Sequence, residues 1–349
     1  MPTGDMPSRR DMLKGAATLG VIGLAGCTGD DDDGTTTITI GGTSSGSSTQ
    51  QAGQALARAA SQHSDIVEIS VQQTDGWTAN LYEYDEGQIP AMGVDNNSLS
   101  QALNDSGPFG DEPVESLPHQ GFQFTSLEMH WVALEGSGIE STEDIREGGY
   151  TIYPIQPGFG TRLLTEDVIR EADMWDQNEI LNVDTDDIPG AVEEDRVDAL
   201  CLYGSNGVDL ASWCQEVDVR SNERLNLIEV DDDFIQTIDD HPGAILLEDF
   251  EPYGYQQDVD AITDTSAGWA LAGQWAFSPE IPAEATREVC RLAIEHEETL
   301  READPTTLEY SPEVMAETVI PELEIHEGVA DFFDDEGVWD DSWTRGEAE

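Results

Sequence analysis

The sequence predicts an α/β protein built as two lobes. Strand-length apolar runs alternate with longer stretches of helical spacing, and the alternation restarts near Gly149. Each half opens with a strand, a Gly-rich loop and a helix. That order argues for parallel strands covered by helices on both faces, with ligands bound beyond the carboxyl ends of the strands.

In the first half, "TITIGG" reads as a strand, "STQQAGQALARAASQH" as a helix and "DIVEISVQQT" as a strand. "WTANLYEYDEG" then reads as a helix, "IPAMGVD" as a strand and "NNSLSQALND" as a helix. "LEMHWVALEGSG" follows as a strand and "STEDIREG" as a short helix. The second half repeats strand, Gly loop and helix in "GYTIYPIQPGFGTRLLTEDVIREADM". It continues with the strands "VDALCLYGSNG" and "LNLIEV". "SAGWALAGQWAF" is apolar and strand-capable, and "PAEATREVCRLAIEHEETLREAD" is a strongly amphipathic helix with Pro282 at its first turn. The aromatic-rich "EGVADFFDDEGVWDDSW" is expected to pack back as a helix and tail.

Charge sets the next bound. The 349 residues carry 74 Asp plus Glu against 14 Lys plus Arg, a formal net charge of -60, and Lys14 is the only lysine. The carboxylates are spread through every periodic segment, as on proteins of extreme halophiles, and such a shell is screened within about 3 Å at 1 M salt. The acidity is therefore read as an adaptation to solvent. Nucleic acid is excluded as a partner, because its recognition needs a basic surface.

Residues 1–27 contain "SRRDMLKGAATLGVIGLAGC", a twin arginine, an apolar run too short for a comfortable span of about 20 residues, and "LAGC". This resembles a twin-arginine signal followed by a lipobox. It implies export in the folded state, cleavage before Cys27 and a lipid on that cysteine, which anchors the protein to the outer face of the cell membrane. Residues 28–36 would form an acidic, flexible tether. Cys201 and Cys290 sit in apolar runs as small buried residues; a Cys201–Cys214 disulfide is possible but not set by spacing.

Three further stretches carry a family resemblance. "IGGTSSGSSTQQAGQALARA", "QTDGWTANLYEYDEGQIPAMGVDNN" and "LEGSGIESTEDIREGGYTIYPIQPGFGT" resemble, in order and spacing, the TAXI solute receptors of tripartite ATP-independent (TRAP) transporters. The resemblance implies a periplasmic-binding-protein-like (type II) fold, two α/β lobes joined by a hinge with the ligand in the cleft. The lobes would be residues 37–132 plus 262–349 and residues 133–261. It further implies capture of a small organic acid or amino acid and delivery to ion-coupled TRAP membrane subunits, without cofactor. Where the family carries two tyrosines after its first loop, this chain has Thr49 and Gln50, and Gly-Ser-Gly-Thr is replaced by Gly158-Phe159-Gly160-Thr161.

The candidate ligand residues follow. Gly42, Thr43 and Ser44 offer N–H groups and hydroxyls to a carboxylate or carbonyl, or form an ordinary turn. Gly158, Phe159, Gly160 and Thr161 repeat the device, with Thr161 placed as an N-cap-like hydroxyl. Arg162 is either a fork donor to an acidic ligand or the partner of a neighbouring carboxylate. Asp95 and Asn96 end a strand where such receptors meet solute, and also suit helix capping. By resemblance, Trp77, Asn80, Tyr203 and Tyr253 join the site, as do Thr49 and Gln50 in place of the tyrosines.

The same chain also fits a receptor for an ATP-driven importer or a sensor. The alternative class is an exported hydrolase using Ser44 or Ser47. Catalytic and metal residues are nevertheless assigned to none: the six histidines form no H-E-x-x-H and no close pair, and there is no G-x-S-x-G elbow.

Overall fold

The computed structural model describes residues 34–43, 47–157, 159–257, 259 and 266–348. The expected signal, the Cys27 lipid site, most of the tether, Ser44 and Gly158 lie outside the described residues.

The first half runs β1 (Thr36–Gly41), α1 (Ser48–His63), β2 (Val67–Gln72), α2 (Trp77–Asp85), β3 (Ala91–Asp95), α3 (Asn96–Leu103) and β4 (His119–Leu134). The second runs α4 (Thr142–Glu147), β5 (Thr151–Tyr153), α5 (Gly160–Glu171), β6 (Glu179–Ile180), α6 (Ile188–Glu193) and β7 (Ala199–Ser205). It continues with β8 (Asp209–Leu210), α7 (Ser212–Arg220), β9 (Leu225–Leu227), α8 (Asp232–Asp240) and β10 (Ile245–Leu247). The chain then returns through β11 (Gly268–Phe277), followed by α9 (Ala283–Glu295), α10 (Glu297–Ala303), α11 (Pro312–Ala316) and α12 (Glu327–Glu336).

The sheet shows why the order repeats. In the first half β1 lies between β2 and β3, all parallel, and β3 pairs antiparallel with Gly273–Phe277 of β11. In the second, β5 lies between β6 and β7, all parallel, and β7 pairs antiparallel with residues 127–133 of β4. β4 and β11 pair with each other along both halves, with register shifts around Gly273, Gln274 and Ala276. The chain thus has the α/β architecture of a two-lobed, type II binding protein, and β4 and β11 are the strands both lobes share.

Alternation along the strands divides the core. Ile38, Ile40, Phe122, Phe124 and Trp275 pack under α1, α9 and α12, while Met92, Val94 and Ala276 pack with Leu81 and Leu99 of α2 and α3. In the second half Met129, Trp131 and Cys201 face α5 and α8, and Val132, Leu200 and Leu202 face α6 and α7. Among the described residues no helix is long and apolar enough to cross a membrane.

β4 begins at His119, well before the predicted start, because Phe122 and Phe124 already alternate into the core. The long amphipathic helix divides at His296, whose φ of -124° leaves the helical region. There its ring stacks on His63 at 3.8 Å. The C-terminal segment does pack back, with Trp339 and Trp343 against the first core. Cys201, Cys214 and Cys290 are buried free thiols.

Two fully buried histidines stay neutral. His326 donates from Nε2 to the Ile281 carbonyl (3.0 Å), while its Nδ1 accepts the Gly328 N–H (3.3 Å). Burial lowers its pKa to about 4, and that of His130, whose Nε2 meets the Tyr255 hydroxyl at 2.6 Å, to about 3. A histidine depressed in the folded state favours folding above its unfolded value near 6.5 and loses that contribution as pH falls toward the folded value. His326 alone represents about 3 kcal/mol. Urea midpoints in high salt are expected to fall between pH 7 and pH 4.5, and to fall less in His326→Gln.

Candidate functional site

The first wall of the cleft is fixed by one amide. Asn80, fully buried on α2, donates from Nδ2 to the carbonyls of Gly41 (3.3 Å), Gly42 (2.8 Å) and Gly93 (2.8 Å). These carbonyls lie at the carboxyl end of β1 and midway along its neighbour β3. Thr74 adds a hydroxyl bond to the Gly42 carbonyl at 2.5 Å. Beyond Gly42, Ser47 caps α1, its Oγ accepting the Gln50 N–H at 3.2 Å and meeting the Thr43 hydroxyl. Gln50 folds back toward Gly42, where any Cβ would collide with its Oε1.

Thr49, buried on the first turn of α1, orients the largest side chain of the cleft. Its Oγ1 accepts the Trp77 indole N–H at 2.9 Å, and its methyl occupies the space left by Gly93. Trp77 packs against the cores of both halves. Asp95, two residues beyond Gly93 and so on the same face of β3, is 1 % exposed. It caps α3 by accepting the Ser98 N–H (2.7 Å) and hydroxyl (2.6 Å). Burial raises its pKa in spite of these bonds.

The second wall is the N-terminus of α5. A methyl group on Gly160 would stand 3.4 Å from Trp77 Cε3, 3.5 Å from Leu271 Cδ2 and 3.8 Å from Asp95 Oδ2. The first turn of a second-half helix is therefore seated on a first-half indole and carboxylate. Thr161 is the second residue of this helix and does not cap it: the capping position belongs to Phe159, and the buried Thr161 hydroxyl has no partner.

Polar contacts extend the seam along α3. Asn96 accepts the Ala272 N–H (3.1 Å) and donates to the Gly243 carbonyl (3.4 Å), while Gln101 donates to Asp167 of α5 (3.3 Å). Gln101, Asp167 and Gly243 carry no local signal, and Asp167 is one carboxylate among 74 acidic residues.

Thr49, Trp77, Asp95 and Gly160 are thus brought together, with Gly42, Thr43, Gln50 and Asn80 as the frame behind them. Arg162 points elsewhere: its guanidinium is spent on the Ile155 carbonyl (2.7 Å), Asn182 (3.0 Å) and Glu166 (3.1 Å) inside the second half. Phe159 packs into the core beneath α5. Tyr203 meets Trp213 edge-on at 5.8 Å, and Tyr253 covers Gly204 on the opposite face of β7, its hydroxyl donating to Glu128.

A family model described as the NMT1-like family matches residues 40–337. No curated protein matches. Among solved structures, the chain is similar to a TctC solute binding protein from Polaromonas, with 13% identity over 78% of this chain and 89% of that one and a TM-score of 0.46. It is also similar to the periplasmic aliphatic sulphonate binding protein SsuA of Escherichia coli, with 12% identity over 86% and 83% and a TM-score of 0.39. A third is the ligand binding component of an ABC-type import system from Staphylococcus aureus with zinc bound, at 10% identity over 90% and 99% and a TM-score of 0.43.

The Gly160 contact sets a size test. Gly160→Ala fits at ordinary van der Waals distance, whereas Gly160→Phe places a ring where Trp77 and Asp95 already stand. Small-angle scattering in high salt is expected to give an unchanged radius of gyration for the first variant and a larger one for the second, with equal helix content by circular dichroism.

Proposed function

Because the chain belongs to the NMT1-like family, whose members are substrate-binding proteins, we propose that it is an extracytoplasmic solute receptor whose lobes close over a small ligand. One observation carries the reading. The N-terminus of α5 in one lobe rests on Trp77 and Asp95 at the strand ends of the other, so a solute held there touches both lobes. A ligand shifts an open–closed equilibrium only through contacts that differ between the two states. In the proposed cycle the lobes rotate about the shared strands, Trp77 and Asp95 become accessible, and α5 returns over the bound solute.

The lobes divide where β4 and β11 change partners, near residues 125–127 and 271–274. The sequence reading puts the boundaries at 132/133 and 261/262. The finer assignment follows the TAXI resemblance: a small organic acid or amino acid is passed to an ion-coupled TRAP permease. A twin-arginine signal directs export and is removed before Cys27, and a lipid on Cys27 holds the receptor at the outer face of the membrane of a halophilic cell. No catalytic role is assigned. Ser47, a candidate nucleophile, spends its hydroxyl on the α1 cap and Thr43, with no histidine among its partners.

Calorimetry with organic acids and amino acids in molar KCl, paired with scattering, tests the receptor reading. A solute that binds the wild-type chain is expected to bind Gly160→Phe more weakly, because the new ring fills the space between α5 and Trp77. Absence of heat from every solute would overturn the ligand class. The acidic shell has its own readout: the thermal midpoint is expected to climb between about 0.1 M and 1 M KCl, as the screening length falls from about 10 Å to about 3 Å. An unchanged midpoint removes the halophilic reading.

A further inference from the structure

We infer that the cleft selects solutes bearing a cationic nitrogen, with the Asp95 carboxylate as its counter-charge and the Trp77 ring beside it. The inference rests on the receptor reading above and specifies the charge its ligand carries.

The first ground is the distribution of positive charge. Each of the eleven arginines that follow Cys27 is ion-paired with an Asp or Glu of the chain. Arg162, the one nearest the seam in sequence, is buried with its guanidinium bound inside the second lobe. A solute that is only an anion therefore meets no free guanidinium here.

The second ground is what the seam does hold. Asp95 is almost wholly buried, and the groups that donate to it, the Ser98 hydroxyl and the backbone N–H groups around the α3 cap, are all neutral, so its charge has no counter-charge among them. Carboxylate and indole converge on one point, 3.8 Å and 3.4 Å from a methyl placed on Gly160. When α5 lifts, that point is vacated, and a carboxylate beside an aromatic ring favours an ammonium or guanidinium group. Burial raises the Asp95 pKa, and an opposite charge at the same point would reverse that cost.

The third ground is the unpartnered buried hydroxyls. Thr161 Oγ1 belongs to the residue after Gly160, and Thr125, whose methyl group adjoins Gly273 as the Trp77 ring does, carries the other. Both side chains are at least 97 % buried without a hydrogen-bond partner, a costly state that a donor-rich solute relieves.

Matched solutes decide it. Calorimetry on the full chain in molar KCl would compare isoamylamine, leucine and isocaproate, then phenethylamine, phenylalanine and 3-phenylpropanoate, then 4-aminobutyrate, glutamate and glutarate. In at least one set the ammonium-bearing members are expected to bind about tenfold tighter or more than the acid alone. Asp95→Asn and Asp95→Ser both retain a helix-capping side chain, and each is expected to erase that preference with circular dichroism unchanged. Should the acids bind as tightly as the ammonium compounds, or should folded Asp95 variants keep the preference, the inference falls and the receptor reading stands. Should no solute give heat, both fall. The wild-type ratio needs no variant, so loss of folding in a variant does not mask the outcome.

Discussion

Everything in this molecule is hung on the pairing of β4 with β11. These antiparallel strands run through both lobes, and each lobe completes its sheet by adding three parallel strands to one of them. Their ladder runs from the His119–Phe277 pair to the Met129–Trp269 pair, irregular around Gln274, and carries the backbone from one lobe into the other. Because β1, β3, β5 and β7 are set against this pair, their carboxyl ends and the loops that follow them meet in the middle of the molecule.

The second dependence is polar and local. Where β1 opens into its Gly-rich loop, Asn80 binds three backbone carbonyls at once, two from that end and one from β3. With that frame closed, Thr49 is free to anchor Trp77, and Trp77 in turn forms the floor on which α5 sits. Thr49 on the first turn of α1 thus supports an indole supplied by another helix.

Most elements were legible in the sequence because alternation and helical spacing are local properties. The extension of β4 to His119 was not, since Gln120 and Gln123 interrupt the apolar run where buried amides replace apolar side chains. At the site, the Gly loops and Asp95 could be read from strand–loop–helix order, and Asp95 does cap α3 as its position allowed. Direction was the missing quantity. Arg162 and Gly160 are two residues apart on one helical turn, yet one is turned into its own lobe and the other faces the opposite lobe. Tyr203 and Gly204 are adjacent, yet β7 sends them to opposite faces, so Tyr253 cannot share a wall with Tyr203. A single sequence does not say which way a loop residue looks until the partner strands are placed.

The shared ribbon also limits what kind of relative movement the lobes have. A pair of hydrogen-bonded strands twists and flexes across its face at little cost, but sliding one strand along the other breaks every rung at once. Irregular rungs at Gly273, Gln274 and Ala276 put the softest part of the ribbon at the crossing itself. The lobes are thereby coupled like two leaves on one torsion bar: free to rotate, unable to translate. In the proposed cycle points far from the bar would sweep wide arcs while Gly273 and Thr125 hardly move, so a guest's inner end would meet a constant geometry and only its outer end would be gauged by the swing.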